Sequence, residues 1–258
     1  MIINIAGANL EKLLPLFAGC RETIAWSCLQ GCMGSAFADN VQAPHSAQLL
    51  DANFCFFAGR PSAELVRHTA GKKEFLMIPP DTAWAGLIEQ MWGSSAKRMV
   101  CCAFQPDKDA FQPEKLTELL VLPREAYRLV PIDKTIYSMT LQEKWSADLC
   151  GNFADEADYQ KRGLGFAVLY RGKLAAGASS YTVYRGGIEI QVDTKEAFRR
   201  RGLAAACAAQ LILTCLERGL YPVWDAAGRP SARLAQKLGY RFAGADPAYA
   251  VLAASPTG

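Results

Sequence analysis

The chain has 258 residues, a formal net charge of +3 and a 51% hydrophobic composition. That length fits two domains or one enlarged one, and the apolar content is enough for a sizeable core and too high for broad disorder. The small charge excess, with no long basic run, argues against nucleic acid as a partner, and no apolar stretch reaches the ~18–20 residues of a membrane helix.

The opening segment, Met1-Ile2-Ile3-Asn4-Ile5-Ala6, has no basic leader and no long apolar region, so it does not read as a signal peptide and a cytoplasmic location is expected. Residues 10–18 and 22–32 read as short helices, and 54–58 and 75–78 as strands. Pro79-Pro80-Asp81 supplies a breaker and an N-cap. Trp84, Leu87, Ile88 and Met91 follow at helical spacing. Residues 99–104 form another candidate strand and 113–120 a short helix. The nine cysteines are odd in number, contain no Cys-x-x-Cys pair and stand beside only two histidines, so no metal site is expected. Reduced, mostly buried thiols fit better. His45 and His68 lie in this half, where no catalytic role is assigned to them. The half carries no phosphate-binding glycine pattern, and a boundary is placed between residues 122 and 123. The expected domains are therefore an N-terminal α/β domain over 1–122 and a second domain over 123–258.

Beyond the boundary, 127–131 reads as a strand and 134–149 as a helix with a bend midway. Residues 165–170 and 174–183 read as a hairpin around Arg171-Gly172-Lys173. Lys161-Arg162-Gly163-Leu164-Gly165 mimics a phosphate motif, but a strand follows it, so no row of free amides would face an anion. The stretch 187–209 differs. Ile188, Ile190 and Val192 alternate as a strand; a polar turn follows, then Arg199, Arg200, Arg201 and Gly202, then a helix opening on Leu203, Ala204 and Ala205. Amides at a helix N-terminus lack intrahelical partners and carry partial positive charge. With glycine removing the side chain there, a phosphate or pyrophosphate can sit against bare backbone. A strand at 221–225 and a helix running to Leu238-Gly239-Tyr240 complete a β-α-α-β-β-β-α-β-α-β order.

The run Arg199-Arg200-Arg201-Gly202-Leu203-Ala204 resembles the Arg/Gln-x-x-Gly-x-Gly/Ala signature of the GCN5-related N-acetyltransferase (GNAT) superfamily. Ser231 to Tyr240 resembles the helix of that superfamily which ends in Leu-Gly-Phe/Tyr. The whole chain is similar to a two-part bacterial GNAT subfamily, some members of which are named after zwittermicin A resistance acetyltransferases. The segments that carry this are Trp145-Ser146-Ala147-Asp148-Leu149, Gly177 to Tyr181, Ile188 to Thr194 and Cys215 to Pro222.

The resemblance implies an α+β GNAT acyltransferase fold in the C-terminal half, preceded by a degenerate α/β domain that could be a GNAT-like repeat. It implies acetyl-CoA as co-substrate, without a metal. Backbone groups of Val192, Asp193 and Thr194 would pair with the pantetheine arm, and the segment Arg199 to Ala205 would face the pyrophosphate. Glu189 would be the general base that deprotonates an amine. The N-terminal half would wall the acceptor cleft or build a homodimer contact. Two positions depart from the pattern: Gly228 stands where many relatives carry a cofactor-contacting asparagine, and Ala235 where they carry a tyrosine acid. Tyr181, Tyr184, Tyr240 or solvent would then have to supply the proton to the leaving thiolate. The function implied is N-acetylation of a primary amine on a small acceptor; the alternative is a non-catalytic acyl-CoA-binding or sensing module. Trp224 is expected to pack in the core, Cys207 likewise, and Ser179 and Ser180 are candidates for the acceptor cleft.

Overall fold

A computed structural model describes residues 1–123, 126–226 and 228–252. It divides into two compact units, Met1–Cys101 with the chain from Ala245 onward, and Cys102–Gly244.

The first unit contains β1 (Ile3–Ile5), α1 (Thr23–Leu29), β2 (Ser35–Ala38), β3 (Ser46–Asp51), β4 (Phe54–Gly59), α2 (Ala63–Arg67), β5 (Glu74–Ile78), α3 (Thr82–Trp92) and the first six residues of β6 (Ala96–Phe104). Strands β1 to β4 are antiparallel neighbours, and β4 pairs parallel to β5. The C-terminal strand, Phe242–Leu252, then lies between β5 and β6 to complete a seven-stranded sheet. Helix α3 forms as its residues require: Asp81 accepts the Trp84 amide at 2.9 Å as N-cap, and Trp84 and Ile88 turn inward. Trp84 stacks on Phe57 at 4.7 Å in a cluster with Leu65, Val66, Met77 and Tyr249. The short strands β1, β2 and β3 and the five-residue α2 escape a reading by periodicity.

The second unit contains α4 (Pro113–Glu118), β7 (Tyr127–Pro131), α5 (Lys134–Thr140), α6 (Glu156–Arg162), β8 (Gly165–Tyr170), β9 (Lys173–Tyr184), β10 (Gly187–Thr194), α7 (Leu203–Glu217), β11 (Tyr221–Val223) and α8 (Arg229–Leu238), after which β12 (Phe242–Leu252) returns to the first unit's sheet. The second sheet runs β11-β10-β9-β8-β7, with β10 and β11 parallel and the other neighbours antiparallel. Four antiparallel strands followed by a parallel fifth thus occur twice in the chain, a mixed α+β architecture.

Two differences from the sequence reading have physical causes. The helix expected over 134–149 stops at Thr140, because the Ser146 hydroxyl donates to the Thr140 carbonyl at 2.8 Å and offers the backbone an alternative to the helical ladder. The boundary expected at 122/123 falls inside the second unit. Its place is taken by positions 101/102 and 244/245, because the last strand is recruited into the first sheet.

Glycines of the phosphate-like decoy have a packing explanation. A side chain at Gly163 would come within 2.6 Å of the Tyr159 ring, and one at Gly165 within 2.5 Å of its hydroxyl oxygen. No helix among the described residues is long and apolar enough to cross a membrane.

Candidate active site

The parallel pairing of β10 with β11 is short: Gly187, Ile188 and Glu189 stand opposite Tyr221, Pro222 and Val223. Its register is fixed by the Tyr221 amide donating to the Gly186 carbonyl at 2.8 Å. Two steps of two residues along the same ladder, the Asp225 amide would meet the Ile190 carbonyl. It donates instead to Glu189 Oε1 at 3.0 Å. The carboxylate therefore stands in for a strand carbonyl, ends the ladder and lets the two strands part. Glu189 is buried, at 3% exposure. Accepting that amide satisfies one of the carboxyl oxygens and offsets part of the cost of burying the acid.

On the other side of β10, pairing with β9 shifts register between Glu189 and Ile190, leaving Tyr181 as the extra residue of a bulge. The Asn152 side-chain amide donates to the Tyr181 carbonyl at 3.2 Å and so satisfies the bulge. Past the bulge, the Lys195 amide donates to the Ala175 carbonyl, which puts the odd-numbered backbone groups of β10 on the β9 side. By alternation, the backbone groups of Ile190, Val192 and Thr194 face the parting edge. Asp193, expected to contribute backbone there, pairs with Gly177 of β9 instead. Its side chain accepts from Gln191 at 2.6 Å, and burial raises its carboxyl above the usual range.

Helix α7 begins just beyond. Gly202 is its N-cap with φ of +80°, in the left-handed region that glycine tolerates, and no side chain caps the helix. The first intrahelical bond is Ala206 N–H to the Gly202 carbonyl. The amides of Leu203, Ala204 and Ala205 precede it and have no carbonyl four residues back to bond. A Cβ placed on Gly202 would meet no atom within 4 Å, so the space before these amides is open. Leu203, Ala205 and Ala206 are buried, which seats the first turn of the helix against the sheet.

The three arginines separate in role. Arg201 donates to the Tyr127 hydroxyl at 2.9 Å and to the Ala197 carbonyl at 3.0 Å, and lies over the Phe198 ring. It pins the turn, a task with no local signal because Tyr127 is 74 positions away. Arg199 reaches the Thr194 carbonyl at 3.4 Å, and Arg200, at φ of +59°, is exposed.

The tyrosines named as proton donors are committed elsewhere. Tyr240 is buried and donates to the Pro222 carbonyl at 2.8 Å; burial foremost, with Tyr221, Cys215 and Glu189 nearby, pushes its hydroxyl well above the ordinary range. Tyr184 donates to the Tyr221 carbonyl and is pushed up by burial and then by Glu189. Tyr181 is buried as well. Ser179 and Ser180 are fully buried: Ser179 bonds the Tyr159 hydroxyl at 2.8 Å, and Ser180 accepts the Leu164 amide. Trp224 is in the core, its indole N–H on Ser231 and its ring against Tyr240. Cys207 is buried among the small residues of α7, its thiol pushed up to about 12 by burial. Gly228 caps α8, and Ala235 is buried in it. His45 is exposed beside Asp39 and His68 bonds Gln48, both in the first unit.

The mixed sheet's parallel pair thus parts in front of a helix led by a glycine and capped by no side chain. Residues 14–249 match the family described as GNAT acetyltransferase, and the chain belongs to that family. It is 25% identical over 239 residues to the uncharacterized N-acetyltransferase YdfB of Bacillus subtilis, covering 85% of this chain and 86% of that protein. A GCN5-related N-acetyltransferase-like protein from Streptococcus suis shares 41% identity, with a TM-score of 0.89 and coverage of 93% of this chain and 97% of the other. A tandem GNAT protein from the clavulanic acid biosynthesis pathway, 12% identical, superposes with a TM-score of 0.60 over 99% of each chain, a likeness of fold. The protein is an N-acetyltransferase of the GNAT type.

Proposed function

We propose that the second unit transfers an acetyl group from acetyl-CoA to a primary amine on a small acceptor in the cytoplasm, without a metal. The observation that carries this reading is the junction of an open strand edge at Ile190 and Val192, ending at Thr194 whose carbonyl accepts from Arg199, with the bare amides of Leu203, Ala204 and Ala205. The residues present fit the donor. The strand edge offers alternating backbone donors and acceptors to an amide-bearing arm, and the amides behind Gly202 suit a pyrophosphate. Exposed Arg199 and Arg200 add positive charge.

When bound, acetyl-CoA supplies an acyl group activated as a thioester. Glu189, at the apex of the parting strands, takes the amine's proton directly or through water. The attacking nitrogen forms the new C–N bond as the C–S bond breaks, and solvent protonates the departing thiolate. A thiol with a pKa near 8–9 needs little help from a protein acid, which suits a site with Ala235 in the tyrosine position.

The test is binding by calorimetry followed by thiol release across an amine panel. Acetyl-CoA at about 100 times its Kd should stabilise the protein by ~2.7 kcal/mol. Gly202→Asp, which puts bulk and negative charge before the amides, should weaken binding about 100-fold with the fold retained by circular dichroism. Unchanged affinity in Gly202→Asp overturns the pyrophosphate assignment. Binding with background thiol release on every amine would favour the acyl-CoA-sensing alternative instead.

A further inference from the structure

The first unit repeats the parting of a parallel strand pair, and there the ladder ends for a different reason. The Leu76 amide donates to the Asn53 carbonyl at 2.7 Å, and Phe54, Cys55 and Phe56 stand opposite Leu76, Met77 and Ile78. The Arg60 amide bonds the His45 carbonyl beside β3, so the odd-numbered backbone groups of β4 face β5. Carried along that register, the Phe57 carbonyl meets the nitrogen of Pro80, which has no hydrogen to give. The next carbonyl on that side, Gly59, is taken by the Trp84 indole N–H at 3.0 Å. One strand acceptor is therefore directed into a cavity of about 620 Å³ that opens where β4 and β5 part.

The walls of that cavity state what it would accept. Phe17, Phe57 and Pro79 are buried apolar surface, while Arg21, Arg98, Asp81 and Asp246 are exposed on the rim with Glu22 half-buried beside them. Neither guanidinium has a hydrogen-bonded partner among the described residues. The phosphate cradle of the second unit has no counterpart. The crossover helix α2 has five residues and its N-terminus is already capped by Ser62, whose hydroxyl accepts the Leu65 amide. A coenzyme with a pyrophosphate is thus a poor fit. A molecule with an amide N–H, apolar side chains and both charges suits it.

We infer that this cavity is a second ligand site of the chain, for a short zwitterionic peptide with apolar side chains. An extended di- or tripeptide would give one backbone N–H to the Phe57 carbonyl, as a strand added at an edge does. Its carboxylate would meet the guanidiniums, its ammonium Asp246, and its side chains the floor of Phe17, Phe57 and Pro79. The volume lies in the usual range of small-molecule sites. This site is independent of the acetyl-CoA reading, since it shares no residue with the β10–α7 junction.

The experiment is calorimetric titration of the full chain with three probes: Leu-Phe-Leu with free termini, its N-acetylated and C-amidated form, and an analogue methylated on its backbone amides. The expected result is saturable binding of the free tripeptide, weakened at least about tenfold by capping, by methylation and by Arg98→Glu. Acetyl-CoA affinity should be the same in Arg98→Glu as in the wild type, and acetyl-CoA should not displace the tripeptide. No saturable binding up to about 1 mM, the weak end of the specific range, overturns the proposal. So does tripeptide affinity indifferent to capping and to Arg98→Glu, or displacement by acetyl-CoA, which would put the peptide at the other junction. Loss of acetyl-CoA binding with peptide binding intact would count against the catalytic reading alone.

Discussion

Glu189 is asked to do two things, and one substitution separates them. Its carboxylate both ends the β10–β11 ladder, through the Asp225 amide, and stands where an amine's proton must go. Glutamine keeps an oxygen to accept that amide but has no basicity. Glu189→Gln should therefore lower kcat about 10²–10⁴-fold, the range typical of losing a general base, while the Kd for acetyl-CoA changes little. A loss of cofactor affinity matching the loss of turnover would instead make the carboxylate a spacer of the strands. In the sequence Glu189 stands out as an acid between Ile188 and Ile190, and the family resemblance is what points to it as a base. Its bond was not legible, because Asp225 comes 36 positions later and no periodicity links the two. The same limit applies to Arg201: three adjacent arginines look alike in sequence, and only the turn's geometry turns one of them toward Tyr127 and Phe198.

At the scale of elements, the cap at Asp81 marks α3 in the sequence, whereas α6 escapes a reading although Asp155 caps it in the same way. Asp81, Asp133 and Asp155 each accept an amide three residues on, which fixes where α3, α5 and α6 begin. Strands β1 and β2, of three and four residues, carry too few positions for a period-2 pattern to stand out, and β3 is buried throughout and so shows no alternation. The β9 bulge at Tyr181 leaves no local mark in the sequence, whereas the turn of Asp193 to β9 and of Val192 to the open edge follows from unbroken alternation along β10.

Helix α6, which carries Tyr159 into the core, allows a test by pH. Asp158 accepts Arg162 Nε at 2.6 Å and Nη2 at 2.7 Å, and also the Ala154 amide at 3.1 Å. The Arg162 hydrogen bonds foremost hold its carboxyl below the usual range. A depressed folded-state pKa means the contribution is complete above the unfolded value, near 3.9, and is lost as pH falls through the folded value. Asp158→Asn should cost about 1 kcal/mol in denaturant melts at neutral pH, allowing for the pair's partial exposure. That difference should begin to shrink below about pH 4 and approach zero only below the lowered folded-state value, where the wild-type acid is protonated as well. A gap that persists undiminished in acid would mean the asparagine disturbs packing and not charge.

For the molecule as a whole, the path of the last strand matters more than the linear boundary that composition suggested. Strand β12 pairs with β5 through Tyr249↔Met77, Ala250↔Leu76, Val251↔Phe75 and Leu252↔Glu74, and it lies between β5 and β6 in the sheet. A fragment of residues 1–122 would keep every other strand of that sheet but lose an interior one. A fragment of 123–258 would carry Tyr249 and Val251, each buried at 2% exposure, with nothing to cover them. Unpaired strand edges and uncovered apolar side chains of this kind promote aggregation. Expressed separately, the two fragments should be insoluble or expanded, by light scattering and by loss of near-ultraviolet circular dichroism. Expressed together, they should recover one another, since β12 can still enter the sheet from a separate chain. A cooperative melt from fragment 123–258 alone would show that β12 contributes little and that the second unit is self-sufficient. Substituting Val251→Asp in the intact chain provides the matching control. It buries an unpaired charge at the β12–β5 seam, so it should destabilise the protein by several kcal/mol.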